Sequence, residues 1–164
     1  MTIIREDCIH LAKEVLQACD TYNLKLATAE SCTGGLIAAY LTDIAGSSSV
    51  VERGFVTYSN EAKNEMLGVP IDLISQLGAV SDDVARAMAE GAVKHSHADI
   101  AVSVTGIAGP DGGTESKPVG LVHMAVAREG RKTIHEKHTF EGNRENVRQK
   151  TVAAALQLVL RNCD

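Results

Sequence analysis

Ser31 stands at a junction where a serine hydroxyl could act as a nucleophile. It follows a short apolar segment, residues 24–28, and precedes Thr33, Gly34 and Gly35, which open a helical stretch. Main-chain N–H groups at the start of a helix are unpaired, and glycines let a substrate approach them closely. Such donors can stabilise the negative charge that develops on oxygen during acyl transfer. From this segment alone, a capping serine beside two packing glycines is the more common interpretation.

A serine nucleophile needs a base, and no motif in the sequence places a histidine for this role. Lys63 is a substitute, because it opens the helix that follows a strand ending near Tyr58, so both residues can face one pocket. The pKa of a lysine, about 10.4 in water, would have to fall by about three, which burial can achieve. Tyr58 could relay a proton or orient the amine. Taken singly, both residues are more typical of a solvated surface.

A long loop rich in glycine and proline, residues 105–118, follows the apolar segment 100–104. In α/β proteins ligands bind beyond the carboxyl ends of strands, so Thr105, Gly106 and Gly109 are expected to line the same cleft. The spacing of the glycines matches neither a dinucleotide-binding loop nor a Walker loop. A loop with a purely structural role explains the pattern equally well.

Arg144 and Arg148 lie one turn apart at the start of the last predicted helix, which Asn143 caps. Helix amides, helix dipole and guanidinium groups together can hold a single phosphate group. Solvated arginines on a capped helix are an equally good explanation of this segment alone.

Cys32, next to Ser31, is a weaker candidate nucleophile, because adjacent side chains should point apart and no histidine is placed to activate a thiol. The other cysteines are Cys8, Cys19 and Cys163, and all are expected to be reduced. The six histidines do not have the spacing of metal ligands, so neither a metal nor a cofactor is expected.

Hydrophobic periodicity predicts helices that alternate with strands and one late hairpin. The predicted helices are 3–22, 36–41, 61–67, 81–95 and 143–160, and the predicted strands are 24–28, 50–58, 100–104, 119–127 and 132–140. This order predicts a three-layer α/β/α sandwich on a mixed sheet, with residues 1–164 as a single domain.

The bulk composition narrows the classes of partner. The 164 residues carry a formal net charge of -5, so there is no basic excess for binding extended nucleic acid. No apolar run is long enough to cross a membrane, and the N-terminus lacks the sections of a signal peptide. A cytoplasmic protein is therefore expected.

Several long motifs, in order along nearly the whole chain, resemble those of the CinA family C-terminal domain, the nicotinamide-nucleotide amidases. They are TAESCTGG at 28–35, GSS at 46–48, GFVTYSNEAK at 54–63, GAVS at 78–81, TGIAGPDGG at 105–113 and KPVG at 117–120. Longer members of this family carry an additional N-terminal domain, for which 164 residues leave no room.

The resemblance implies hydrolysis of nicotinamide mononucleotide to nicotinic acid mononucleotide and ammonia, without a metal and in a homodimer. Carried onto this chain, Ser31 matches the nucleophile, Lys63 the base and Tyr58 an assisting residue. Thr105 and the glycines after it match the nucleotide cleft, and Arg144 matches the phosphate contact. Two alternatives stay open: a nucleotide-binding sensor without turnover, and an amidase that acts on another phosphorylated amide.

Overall fold

The chain alternates helices and strands, as given by a computed structural model that describes residues 2–164 and the side chains from Ile4 onward. Within this range the strands are β1 Leu26–Glu30, β2 Val51–Val56, β3 Ile100–Gly106, β4 Leu121–Arg128 and β5 Ile134–Thr139. The helices are α1 Thr2–Thr21, α2 Leu36–Thr42, α3 Asn60–Leu67, α4 Ile71–Leu77, α5 Asp82–Lys94 and α6 Arg144–Leu160, with a short 3-10 turn at Ser47–Ser49.

The strands form one mixed sheet in the order β2-β1-β3-β4-β5. Strand β1 runs parallel to both β2 and β3, whereas β4 runs antiparallel to β3 and to β5. Along the chain, β1 is followed by β2, its neighbour on one side, and the next strand, β3, lies on the other side of β1. The order of the strands in the sheet therefore reverses direction at β1. In open α/β sheets this reversal opens a crevice at the carboxyl ends of the strands, where ligands bind.

Helices cover both faces of the sheet. Helices α1, α2 and α6 pack on one face against Leu26, Val102 and Met124, and α3, α4 and α5 occupy the other face, over Ala27 and Ala101. The central strands β1 and β3 are therefore buried on both sides, which explains their nearly continuous apolar sequences. The predicted three-layer α/β/α sandwich on a mixed sheet is confirmed.

The structure shifts several predicted boundaries in ways that matter for the site. Strand β1 extends to Glu30, so Ser31 follows it directly, and β3 continues through Gly106, so the glycine-rich loop begins two residues later than predicted. Ser59 caps α3 through a hydrogen bond that its hydroxyl accepts from the N–H of Ala62.

Helix α4, Ile71–Leu77, is absent from the predicted elements. Its signals were a proline just before the helix, Pro70, and a glycine just after it, Gly78. A helix of seven residues is too short for its apolar spacing to stand out from a loop. Of the helices within residues 2–164, none combines the length and the apolar composition that crossing a membrane requires.

Gly91 sets the distance between α5 and α3, the helix that carries Lys63. A Cβ atom on Gly91 would lie 2.0 Å from the main-chain oxygen of Leu67, at the end of α3. Because only glycine leaves room for this approach, the position of Lys63 depends on the absence of a side chain in the middle of α5.

We therefore expect Gly91→Ala to destabilise the protein by about 2 kcal/mol or more, since a main-chain carbonyl cannot move aside as a side chain can. In a helix without this contact the same substitution would stabilise by roughly 0.5–1 kcal/mol. Urea unfolding measures the difference, and Ala87→Gly, at a partly buried position of the same helix, gives the scale of helix propensity together with the loss of one methyl group. An increase in stability for Gly91→Ala would show that the two helices separate easily.

Candidate active site

The carboxyl ends of β1, β2 and β3 border one cavity of about 190 Å³. Its lining combines polar side chains from the strand ends with residues from the segments that follow: Ser31, Cys32, Tyr58, Asn60, Lys63, Ala79, Val80, Thr105, Gly106, Ala108 and Arg144. The predicted residues that lie outside this lining are Thr33, Gly34, Gly35, Gly109 and Arg148. Sequence reasoning assigned no role to Asn60, Ala79, Val80 and Ala108.

Ser31 and Lys63 are in direct contact. The Nζ atom of Lys63 lies 3.0 Å from the Oγ atom of Ser31, although the residues are 32 positions apart in the chain. The N–H of Ser31 donates to the main-chain oxygen of Val104, which fixes the serine to the end of β3. Lys63 is set by α3, whose first turn is capped by Ser59. The contact therefore depends on two rigid elements rather than on a flexible loop.

The Lys63 amine is buried and has a defined set of partners. The side chain is 1% exposed, and Nζ also lies 2.9 Å from the main-chain oxygen of Thr57 and 3.3 Å from that of Tyr58. Burial is the larger influence on Lys63 and lowers its pKa, whereas the nearby Cys32 acts in the opposite direction. A neutral amine has two N–H groups and one lone pair. With both N–H groups donated to the two carbonyls, the lone pair is left for the hydroxyl of Ser31.

Tyr58 and Arg144 form a bridge at the mouth of the cavity. The hydroxyl of Tyr58 accepts a hydrogen bond of 3.1 Å from one Nη of Arg144, and the other Nη donates to the main-chain oxygen of Gly109 at 2.8 Å. The Tyr58 side chain is 60% exposed, so it borders the solvent side of the site. Tyr58 contacts the Lys63 amine through its main-chain oxygen, while its hydroxyl faces Arg144.

Glu30 is a site residue that sequence reasoning missed. Its carboxylate is fully buried and accepts hydrogen bonds from the hydroxyl of Thr33 at 2.5 Å and from the N–H groups of Ile37 and Ala38 at 2.8 and 3.1 Å. The carboxylate thus satisfies the N-terminal amides of α2, so these amides cannot serve a substrate. The signal was an acidic residue at a strand end just before the first turn of a helix.

Two charged side chains hold the loop after Ser31 from different sides. Glu30 binds the hydroxyl of Thr33, whereas Arg148 donates from Nη to the main-chain oxygen of Thr33 at 2.9 Å and from Nε to that of Cys32 at 3.3 Å. The N–H of Gly34 donates to the oxygen of Ser31. Thr33 is itself fully buried and lies outside the cavity lining.

Cys32 also borders the cavity, which corrects the expectation that it points away from Ser31. Residues 31–35 form turns rather than an extended strand, so adjacent residues need not face opposite sides. Burial raises the pKa of the Cys32 thiol to about 12, which leaves a negligible thiolate fraction at neutral pH. Within residues 4–164, no three His, Cys, Asp or Glu side chains are grouped closely enough to hold a metal ion.

A larger cavity of about 620 Å³ lies elsewhere, between α1, α2 and α6. Its lining consists of Arg5, Leu36, Ala39, Tyr40, Asp43, Glu145 and Gln149. This set contains no hydroxyl or thiol paired with a base, because the hydroxyl of Tyr40 donates to the amide oxygen of Gln149. The smaller cavity, which holds the Ser31–Lys63 contact, is therefore the candidate active site.

Comparison with known proteins identifies the family of this chain. A family model described as the CinA C-terminal domain matches residues 9–163. This chain belongs to that family. The resemblance inferred from the motifs is thus confirmed. Among solved structures, the competence/damage inducible protein CihA from Agrobacterium tumefaciens has a TM-score of 0.93 at 47% sequence identity, with 94% of each chain covered.

Curated relatives of the family occur in two lengths. The nicotinamide-nucleotide amidohydrolase PncC of Escherichia coli K12 is 51% identical over 151 residues, which cover 92% of both chains. A putative competence-damage inducible protein from Symbiobacterium thermophilum is 53% identical over 146 residues, which cover 84% of this chain and 34% of that protein. The chain therefore spans about a third of the longer relative and nearly all of the shorter one.

The raised pKa of Cys32 leads to a prediction about thiol chemistry. We expect iodoacetamide at neutral pH to leave Cys32 unmodified in the folded protein and to alkylate it readily in denaturant, because the thiolate is the reactive form. Peptide mass spectrometry measures this, and Cys8, whose pKa burial raises to about 11, is the internal comparison. Fast, selective alkylation of Cys32 in the folded protein would reopen a thiol mechanism.

Proposed function

We propose that this protein is an amidohydrolase that converts nicotinamide mononucleotide to nicotinic acid mononucleotide and ammonia, with Ser31 as nucleophile and Lys63 as base. The observation that carries the mechanism is the 3.0 Å contact between a buried lysine amine and a serine hydroxyl at the strand ends. Support for the substrate comes from the 51% identical relative PncC, whose name states the same reaction.

The cavity dimensions support a substrate that is only partly enclosed. A volume of about 190 Å³ is below the roughly 300–1,000 Å³ of pockets that bury whole drug-sized ligands. The carboxamide end of the nucleotide enters beside Ser31, and the ribose and phosphate remain near the mouth. Arg144 is exposed there and carries the positive charge that a phosphate requires. Thr105 and Gly106 also line the cavity.

The first half of the reaction forms an ester on the enzyme. The Oγ atom of Ser31 attacks the carboxamide carbon while Lys63 takes the hydroxyl proton. The carbonyl oxygen becomes negative, and main-chain N–H groups of the loop after Ser31 stabilise it. The C–N bond then breaks as the Lys63 ammonium returns the proton to the departing amine, which leaves as ammonia.

The second half of the reaction regenerates the serine. A water molecule in the position vacated by ammonia gives a proton to Lys63 and attacks the ester carbon. The bond to Oγ breaks, Ser31 recovers its proton from Lys63, and the carboxylic acid is released. Lys63 acts in both halves as base and then as acid, which requires a pKa not far from the working pH. The homodimer and the cytoplasmic location remain predictions from sequence.

The first test of this proposal measures ammonia release from nicotinamide mononucleotide. We expect Ser31→Ala and Lys63→Met each to lower kcat by at least about 1,000-fold with the fold unchanged, because nucleophile and base act as a unit. The controls are Ser75→Ala and Lys94→Met, which remove the same groups from residues outside the cavity. Their activities should match that of the wild type.

Each alternative gives a distinct result in this assay. Binding of the nucleotide by calorimetry without any ammonia from the wild type would identify a sensor. Release of ammonia from another phosphorylated amide, and not from nicotinamide mononucleotide, would support the same mechanism with a different substrate. Substantial turnover by the Ser31→Ala variant would remove Ser31 from its assigned role.

The lowered pKa of Lys63 predicts the pH dependence of the rate. Only the neutral amine accepts a proton, so kcat rises with pH through the pKa of Lys63 and then levels off. Because burial lowers that pKa, the midpoint should lie below the ordinary lysine value of about 10.4. Measuring kcat at saturating nucleotide from pH 6 upward tests this. A midpoint at or above the ordinary value would mean that the amine is not desolvated.

A further inference from the structure

Cys19 and Cys163 form a pair of thiols that the proposed reaction does not use. Their Sγ atoms lie 3.8 Å apart, although the residues are 144 positions apart in the chain. Both side chains are buried, and neither borders the candidate active site. Among the described residues, Cys8 and Cys32 have no second thiol within hydrogen-bond distance. Cys19 and Cys163 are therefore the two cysteines that the fold has already brought together.

The two sulfur atoms meet at the ends of different helices. Cys19 lies in the last turn of α1, and Cys163 follows α6 in a short segment without regular secondary structure. Arg128 holds this segment, because one of its Nη atoms donates to the main-chain oxygen of Cys163 at 2.7 Å. A disulfide has an S–S distance of about 2.05 Å, so the sulfur atoms must approach further to form one. Because the main chain at Cys163 is not helical, this movement does not require a helix to unwind.

The hydrogen bonds of the pair indicate that Cys163 reacts first. Its single thiol proton is donated to the main-chain oxygen of Val159 at 3.2 Å, so Cys19 is the donor in the contact between the two sulfur atoms. This bond lowers the pKa of Cys163 despite the burial of the thiol, and the positive charge of Arg128 acts in the same direction as the bond. The same contact raises the pKa of Cys19. Since the thiolate is the reactive form of cysteine, Cys163 is the better nucleophile of the two.

Cys163 lies close to solvent, although its own side chain is buried. Its neighbours in the segment, Arg161 and Asp164, are exposed. Opening of residues 162–164 breaks their contacts with Arg128 and with the last turn of α6 but leaves the helix itself in place. Such local opening requires less free energy than global unfolding. A small oxidant therefore reaches this thiol in the folded protein.

We propose that Cys19 and Cys163 are a modification site, at which a peroxide produces an intramolecular disulfide between α1 and the segment after α6. The Cys163 thiolate attacks one oxygen of hydrogen peroxide, the O–O bond breaks, and a sulfenic acid and hydroxide are formed. After the segment closes, the sulfur of Cys19 attacks that of Cys163, the S–O bond breaks, and a second hydroxide leaves. The two thiol protons convert both hydroxides to water. Two thiols and one peroxide thus give one disulfide and two waters.

The test treats the folded protein with hydrogen peroxide, blocks the remaining thiols in denaturant and maps the peptides by mass spectrometry. We expect a linked peptide that joins Cys19 to Cys163, a loss of two hydrogens from the intact mass, and free thiols at Cys8 and Cys32. Dithiothreitol should restore the original mass. Because the link closes a loop across 144 positions, the oxidised protein should unfold at a higher urea concentration than the reduced protein.

Two variants test the order of the steps. In Cys19→Ser, oxidation of Cys163 should stop at the sulfenic acid, which dimedone traps. In Cys163→Ser, Cys19 should stay unmodified at the same peroxide dose. Cys8→Ser is the matched control, since it removes a buried thiol from the same helix as Cys19 and should leave the link unchanged. If a variant does not fold, the peptide map of the wild type decides.

Several outcomes would overturn the inference. Absence of the linked peptide at a peroxide dose that oxidises free glutathione completely would show that the fold keeps the two sulfur atoms from reacting. The same mixture of pairings in the native protein and in urea would show that the fold does not select this pair. Unfolding of the oxidised protein at a lower urea concentration would show that the fold opposes the link. None of these measurements uses ammonia release, so the inference does not depend on the proposed function.

Discussion

The burial of the Lys63 amine beside the Ser31 hydroxyl is the constraint on which the rest of the site depends. A charged ammonium in this position would be costly, because water is excluded and, among residues 4–164, no carboxylate forms an ion pair with it. The two carbonyls at the end of β2 satisfy the N–H groups of the amine without adding negative charge. The fold therefore favours the neutral, proton-accepting form, and it does so by geometry that α3 and β2 supply together.

The charged side chains of Glu30 and Arg148 near Ser31 bind main-chain groups rather than the substrate. Glu30 holds the first turn of α2, and Arg148 holds the carbonyls of the loop between β1 and α2. Both side chains have their partners before any substrate arrives, so neither has to reorganise during the reaction. Fixed donors and a fixed nucleophile are what a developing oxyanion needs, and main-chain groups held by charged side chains provide them more rigidly than mobile side chains would.

Sequence reasoning identified the two residues whose side chains meet in the cavity and missed part of what holds them in place. Ser31 and Lys63 could be predicted because their motifs lie where a strand ends and a helix begins, and family resemblance assigned them roles. Glu30 was missed because one acidic residue before a helix is a weak signal, and its bonds to amides seven and eight residues later are visible only in the fold. Arg148 was predicted beside Arg144 because sequence shows only that both lie near the start of α6. Which direction each guanidinium takes depends on tertiary contacts 116 and 35 residues away.

The inner part of the cavity is buried and its mouth is exposed, and this difference has a consequence for substrate choice. Ser31 and Lys63, the proposed nucleophile and base, are buried and held by strands and helices, whereas Arg144 and Tyr58 lie in solvent and hold one another by a single hydrogen bond. A substitution at an exposed position costs little stability, so the part of the site that recognises the rest of the nucleotide can change while the amide chemistry stays intact. The proposed Ser31–Lys63 chemistry therefore depends on the fold more strongly than recognition of the group attached to the amide does.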